Sequence, residues 1–237
     1  MTSSSAAPIK GDVLFSSKEK LSTHLDLLNQ KTLIIGKEPL ILMEKLDWVL
    51  TNKKLPNSFS FESIKCFESF EKNKMLEQLT KYLLQFNLPS RLVELILSTT
   101  DELLMNAFFD APVDNGKVIF KDTPRYMPVT TSNPVELIMG NNGEEIAIAV
   151  VDQFGSVNQS SIIKHLKKTF VNKDYIEPVN GTGAGIGLSL CVKRNASLFI
   201  KVDPTVQSQF TVFFPIVDSF KSYLEKSQII SVHIKKS

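Results

Sequence analysis

Three short segments of the chain carry residues that could do chemistry. Between Ser90 and Ala111, the residues Thr99, Glu102, Asn106 and Asp110 recur at steps of three, four and four, which on a helix is a single line. Leu92, Ile96, Leu103, Leu104, Phe108 and Phe109 cover the other faces, so such a helix is largely buried, and a buried carboxylate and amide need polar partners. A Mg²⁺ ion and a triphosphate would be partners of that kind. Asp152 ends the apolar run Ala147 to Val151, which reads as a buried strand, and a carboxylate at a strand end suits reading the edge of a base. The third segment, Gly181-Thr182-Gly183-Ala184-Gly185-Ile186-Gly187-Leu188, has four glycines at alternate positions. Its backbone can approach phosphate closely and leads into a helix whose free amides attract anions.

Two familiar phosphate motifs do not fit these letters. A Walker loop ends in Gly-Lys-Ser/Thr, whereas Gly187 is followed by Leu188 and Ser189. A Gly-x-Gly-x-x-Gly started from Gly181 or Gly183 meets Ile186 or Leu188 at its sixth position, and Asp174 to Asn180 does not read as the preceding strand.

Taken together, the order of the three segments and their spacing, 46 residues from Asn106 to Asp152 and 31 from Asp152 to Gly183, resemble the GHKL-type ATP-binding domain of gyrase, Hsp-type chaperones, MutL and histidine kinases. Over residues 57 to 217 the chain is most similar to the anti-sigma-factor serine kinase branch, which begins with a strand and a helix and then carries Glu-x-x-x-Asn-Ala, here Glu102 to Ala107. The resemblance implies a two-layer α/β sandwich with a mixed, mostly antiparallel sheet and helices on one face. It implies that Asn106 ligates Mg²⁺, that Glu102 is the base, and that Asp152 accepts a hydrogen bond from the adenine amino group. It also implies that Gly181, Gly183, Gly185, Gly187 and Leu188 hold the phosphates, that Gln153 to Asn180 is the lid over ATP, and that Thr211, in Gln209 to Pro215, lies beside the adenine. Asp110 and Gly155 complete the cofactor-binding set. The chain departs from the pattern at Phe154, where the first glycine of Asp-x-Gly-x-Gly belongs, and at Phe109, where histidine kinases place a phosphate-contacting lysine.

These residues must be positioned by a fold that alternates strand and helix signals. Short apolar runs at Val13 to Phe15 and Thr32 to Ile35 alternate with helical patterns at Lys18 to Asn29 and Leu40 to Leu50, and the polar, proline-containing stretch Thr51 to Asn57 reads as a boundary. Residues 1–56 are therefore expected to form a small α/β extension. The main domain, 57–217, is read as a strand at Phe59 to Ile64 and helices at Glu71 to Phe86 and Ser90 to Ala111, split by Asn87-Leu88-Pro89. Strands follow at Val118 to Phe120, Val135 to Met139, Ile146 to Val151, Ser197 to Val202 and Gln209 to Phe214. Between them lie helical segments at Gln159 to Asn172 and Ile186 to Arg194, and a tail of 218–237 closes the chain. His24 reads as a solvated helix histidine.

Composition narrows the functional classes. With 27 basic and 25 acidic residues the net charge is +2, which gives no broad field for nucleic acid or an anionic membrane. Cys66 and Cys191 stand in no metal-ligand spacing and fit free thiols in a reducing compartment. With neither a signal-peptide pattern nor 18 consecutive apolar residues, a cytoplasmic protein is expected. The leading expectation is an ATP- and Mg²⁺-dependent serine/threonine kinase acting on a small regulatory protein, an anti-sigma-antagonist-like or sigma-factor-like partner, and a homodimer is compatible with it. Two alternatives stay open: a catalytically weak, nucleotide-gated protein-binding module, and the catalytic subunit of a split histidine kinase.

Overall fold

The computed structural model describes residues 13–16, 32–35, 45, 48–49, 51, 53–158, 160–162, 196–226 and 228–235. It is a mixed α/β structure built on one mixed sheet. The strands are β1 (Val13–Ser16), β2 (Thr32–Ile35), β3 (Ser60–Glu68), β6 (Thr130–Asn141), β7 (Glu145–Asp152), β8 (Ser197–Asp203), β9 (Gln207–Pro215) and β10 (Ile230–Ile234), with a separate two-stranded ribbon of β4 (Val113–Asp114) and β5 (Lys117–Val118). The helices are α1 (Lys72–Leu83), α2 (Ser90–Phe109) and α3 (Phe220–Glu225). Strand order across the sheet is β1-β2-β10-β8-β9-β7-β6-β3. Pairing is antiparallel except for β1 with β2 and β8 with β10.

The sheet crosses both boundaries expected from the sequence. β2 pairs with β10, and β10 lies directly against β8, so residues before 57 and after 217 are hydrogen-bonded into the same sheet as the central segment. Local apolar runs identified β2 and β8; which strands become their neighbours is a long-range matter that periodicity does not encode.

α2 forms for the reasons its pattern suggests. Pro89 stands just before its first turn, where a missing N–H costs nothing, and Leu92, Leu95, Ile96, Leu103, Leu104, Ala107, Phe108 and Phe109 are buried along it. With Met75, Leu79 and Leu83 of α1 they pack on one face of the sheet, against Leu137, Met139, Ile146, Ile148, Val150, Val212 and Phe214. The alternation of β7 sends Ile146, Ile148 and Val150 to that face and Ala147, Ala149 and Val151 to the other.

The opposite face is also covered. Trp48, Val49, Leu55 and Phe59 pack there on Ile138, Ala147, Ala149, Phe199 and Phe213, and since Trp48 and Val49 are helical, helical structure is not confined to one side of the sheet. Gly140 permits this approach, because a Cβ there would lie 2.4 Å from Leu55 Cδ1. Polar links hold the segment down: Lys201 Nζ donates to Lys53 O (3.0 Å), Gln209 Nε2 donates to Lys54 O (2.7 Å), Lys45 pairs with Glu145 (2.6 Å), and Lys54 pairs with buried Glu136.

The helices expected at Lys18 to Asn29 and Ile186 to Arg194 lie outside the described residues, as do most of those at Leu40 to Leu50 and Gln159 to Asn172. The strand expected at Val118 to Phe120 is instead the two-residue β5. No helix among the described residues is long and apolar enough to cross a membrane.

Candidate functional site

A cavity of about 220 Å³ opens between α2, the C-terminal end of β7 and the segment that follows β7. Leu103, Ala107, Val118, Val150, Val157 and Phe210 make its walls apolar, while Asn106, Asp110 and Asp152 supply polar groups. A mostly apolar wall with a few fixed polar groups suits a flat heterocycle better than a free inorganic ion.

Asp152 is the best-defined of these groups. It is 3% exposed, and its Oδ1 accepts from the backbone N–H of Phe154 (3.0 Å) and of Gly155 (3.3 Å). Burial pushes its carboxyl up from the ordinary 3.8 to about 6, against the opposing effect of these amides and of Ser208, its cross-strand neighbour. A buried carboxylate this strained by desolvation, at the edge of a cavity, is a group that would gain from a ligand donor.

Gly155 makes the turn after Asp152 possible. Its φ is +56°, and a Cβ there would lie 2.3 Å from Asp203 O and within 2.7 Å of the amides of Thr205 and Val206. The turn thus docks on the β8–β9 connection, where Thr205 N donates to Gly155 O (3.2 Å). Gly155 acts through the backbone geometry of Asp152 and is absent from the cavity wall.

Asn106 reaches the cavity from α2, and its Oδ1 is buried with no hydrogen-bond partner. An unsatisfied buried acceptor costs on the order of 1 to 3 kcal/mol, so this atom is set for a donor or a cation. Among the described residues no group of three or more His, Cys, Asp or Glu side chains could hold a metal. A hard cation bound at Asn106 would take oxygen ligands, phosphate oxygens and water among them.

Asp110 also lines the cavity, but its carboxylate is engaged by Arg125 (Nη2 to Oδ2, 2.7 Å). Burial raises its pKa and Arg125 opposes the rise. Glu102, one turn before Asn106, is partly exposed and does not contribute to this cavity wall. Phe109 is 2% exposed and sits edge-on to Phe120, so this position serves the core.

No protein-family model matches this chain, and no curated protein does. The assignment of the site therefore rests on its own residues.

One expected contact is corrected by register. Thr211 pairs with Ala149 and Phe199, both on the face covered by Trp48, and its Oγ1 accepts from Gln209 Nε2 (2.9 Å). It points away from the cavity. The β9 residues on the cavity side are Ser208, opposite Asp152, and Phe210, in the cavity wall. Their signal was present in the sequence as the alternation of β9, but its phase is set only by the pairing with β7. Sequence reasoning also missed Arg125, whose loop carries no motif, and Val118, Val157 and Phe210, which are ordinary apolar residues until the fold brings them together. Gly181, Gly183, Gly185, Gly187 and Leu188 lie outside the described residues, as does most of the expected lid from Gln153 to Asn180.

Proposed function

We propose that this chain binds ATP with Mg²⁺ in the cavity beneath α2, as a GHKL-type α/β sandwich whose second sheet face carries the additional cover of Trp48, Val49, Leu55 and Phe59. On this reading Asp152 accepts from the exocyclic amine of adenine, and Val150, Val157 and Phe210 flank the base. The triphosphate extends toward Asn106 and the glycine run Gly181 to Leu188. The observation that carries the reading is the pairing, within one apolar cavity, of a buried strand-end carboxylate with an amide oxygen that has no partner. Adenine offers a donor where guanine offers a carbonyl, so a carboxylate acceptor at that point would select the former.

The activity proposed is serine/threonine phosphoryl transfer to a small regulatory protein. Glu102 would take the proton from the acceptor hydroxyl, and the amides of the glycine run would stabilise charge on the transferring group. Mg²⁺ held through Asn106 would neutralise developing negative charge on the phosphate oxygens. A second reading is a nucleotide-gated binding module with little or no turnover. It is favoured by the burial of Phe109, where a phosphate-contacting lysine is absent, and by the position of Glu102 off the cavity wall.

Labelled ATP incubated with the chain and an extract separates these readings. Acid-stable label on a second protein supports the kinase, acid-labile label supports transfer to histidine, and ATP binding without transfer or hydrolysis supports the module. Absence of ATP binding by calorimetry overturns all three.

A further inference from the structure

Asp110 is the carboxylate of the cavity wall that neither the base nor the cation accounts for. It stands one turn after Asn106, at the C-terminal end of α2, where its backbone N–H donates to Asn106 O (2.9 Å). Its side chain is 22% exposed, and Arg125 donates from Nη2 to its Oδ2 (2.7 Å). Among the described residues no other group bonds this carboxylate, so Oδ1 keeps its accepting capacity. Arg125 comes from the loop between β5 and β6 and lies over the Phe109 ring, with Cζ 5.7 Å from the ring centroid. The guanidinium is thus fixed between an aromatic face and one oxygen of Asp110.

Three kinds of ligand group could meet Asp110 in the cavity, and its surroundings separate them by charge. A phosphate is opposed by the carboxylate itself. A divalent cation is opposed by the guanidinium already bonded to Oδ2. A neutral hydroxyl meets neither repulsion and supplies the donor that Oδ1 lacks. The same cavity offers an apolar wall with Asp152, suited to a base, and the unpartnered Oδ1 of Asn106, suited to a cation on phosphate. The neutral, hydroxyl-bearing part of a nucleotide is the ribose, which lies between the two. We propose that Asp110 accepts from the 2′,3′-diol of the ribose, and that Arg125 is a positioning residue that orients the carboxylate and offsets its charge against the phosphates. The site then discriminates against nucleotides that lack one of these hydroxyls. This inference rests on the nucleotide reading of the cavity and adds the sugar to its specificity.

The test is calorimetric titration of the full chain with ATP, 2′-deoxyATP and 3′-deoxyATP in the presence of Mg²⁺, and with adenosine and its two deoxy forms. Wild type should bind at least one deoxy form in each series about tenfold more weakly than the parent, as expected for loss of a hydrogen bond to a charged acceptor. Asp110→Asn keeps the shape and a neutral oxygen and should reduce that preference; Asp110→Ala should abolish it, and both should still prefer ATP to GTP. Arg125→Met keeps a long side chain over the Phe109 ring. It should retain the sugar preference measured with adenosine and weaken ATP more than adenosine, because the unpaired carboxylate then repels the triphosphate. An ion pair that serves the fold alone would lower the melting temperature in all three variants and leave the sugar preference unmoved, which overturns the proposal. Equal loss of ATP and adenosine in Arg125→Met overturns it too, as does a wild type that binds ATP and both deoxy forms alike; the ATP reading survives either result. A chain that binds no adenine nucleoside or nucleotide overturns both readings.

Discussion

Replacing Asp152 by asparagine should make the protein more stable and a worse adenine binder, and the opposed signs make the substitution informative. The carboxyl is buried, and its pKa rises from the ordinary 3.8 to about 6 because desolvation outweighs the amides of Phe154 and Gly155 and the neighbouring Ser208. Each pKa unit corresponds to about 1.4 kcal/mol, so the charged form costs the folded state on the order of 3 kcal/mol at neutral pH. The sign follows from proton uptake. A folded-state pKa above the unfolded one means that the folded protein holds more protons between pH 3.8 and about 6. The contribution of this group is therefore fully present below 3.8 and is lost as the pH rises through about 6. Asparagine removes the charge but keeps an oxygen that can accept from Phe154 N and Gly155 N. Urea unfolding at pH 7 should show Asp152→Asn more stable than wild type by about 1 to 3 kcal/mol, with the gain vanishing near pH 4. Calorimetry at pH 7 should show ATP affinity falling about tenfold to a hundredfold, because the asparagine NH₂ would face the adenine amine donor to donor. Wild-type affinity should fall in the same sense as the pH drops below about 6. A variant less stable than wild type at pH 7 would refute the desolvation argument; equal affinity for GTP, or unchanged ATP binding by the variant, would remove the base-reading role.

Glu102→Ala should retain ATP binding and lose turnover, whereas Asn106→Ala should lose Mg²⁺-dependent binding as well; a calorimetric titration with and without Mg²⁺, paired with a transfer assay, distinguishes them. Gly155→Ala should destabilise the fold by about 2 to 4 kcal/mol, since the new Cβ meets backbone at a left-handed φ, and unfolding within 0.5 kcal/mol of wild type would contradict it. Burial lowers the Lys201 pKa to about 8. Its contribution to stability is therefore present above the unfolded value of 10.5 and lost as the pH falls through about 8. Lys201→Met should accordingly flatten the rise in stability between pH 8 and 10, and because Trp48 Nε1 also donates to Lys53 O, that carbonyl keeps a partner. An unaltered pH profile in Lys201→Met would show that the lysine is better solvated than its surroundings indicate.

The part of this protein that is legible in its residues alone is the part that local pattern carries. The stripe and the apolar faces of α2, the proline before it, the buried run of β7 and the position of Asp152 at its end are all consequences of spacing within a dozen residues, where periodicity of 3.6 or 2 dictates which side chains share a face. Tertiary structure decided everything that depends on which strands become neighbours. The phase of β9 against β7 put Ser208 and Phe210 at the cavity and turned Thr211 to the far side, a choice that a one-residue shift in register would reverse. Phe109 stands where the resemblance would place a lysine, and its burial in the core packed on α2, edge-on to Phe120, makes it structural. The far face of the sheet is closed by Trp48, Leu55 and Phe59, and Lys201 donates to a carbonyl 148 residues away; no pattern inside the run Leu198 to Val202 foretells either. The physical reason is the same in each case: hydrogen bonds and apolar contact between distant segments fix burial, and burial, not residue type, decides whether a polar group is solvated surface or part of a site.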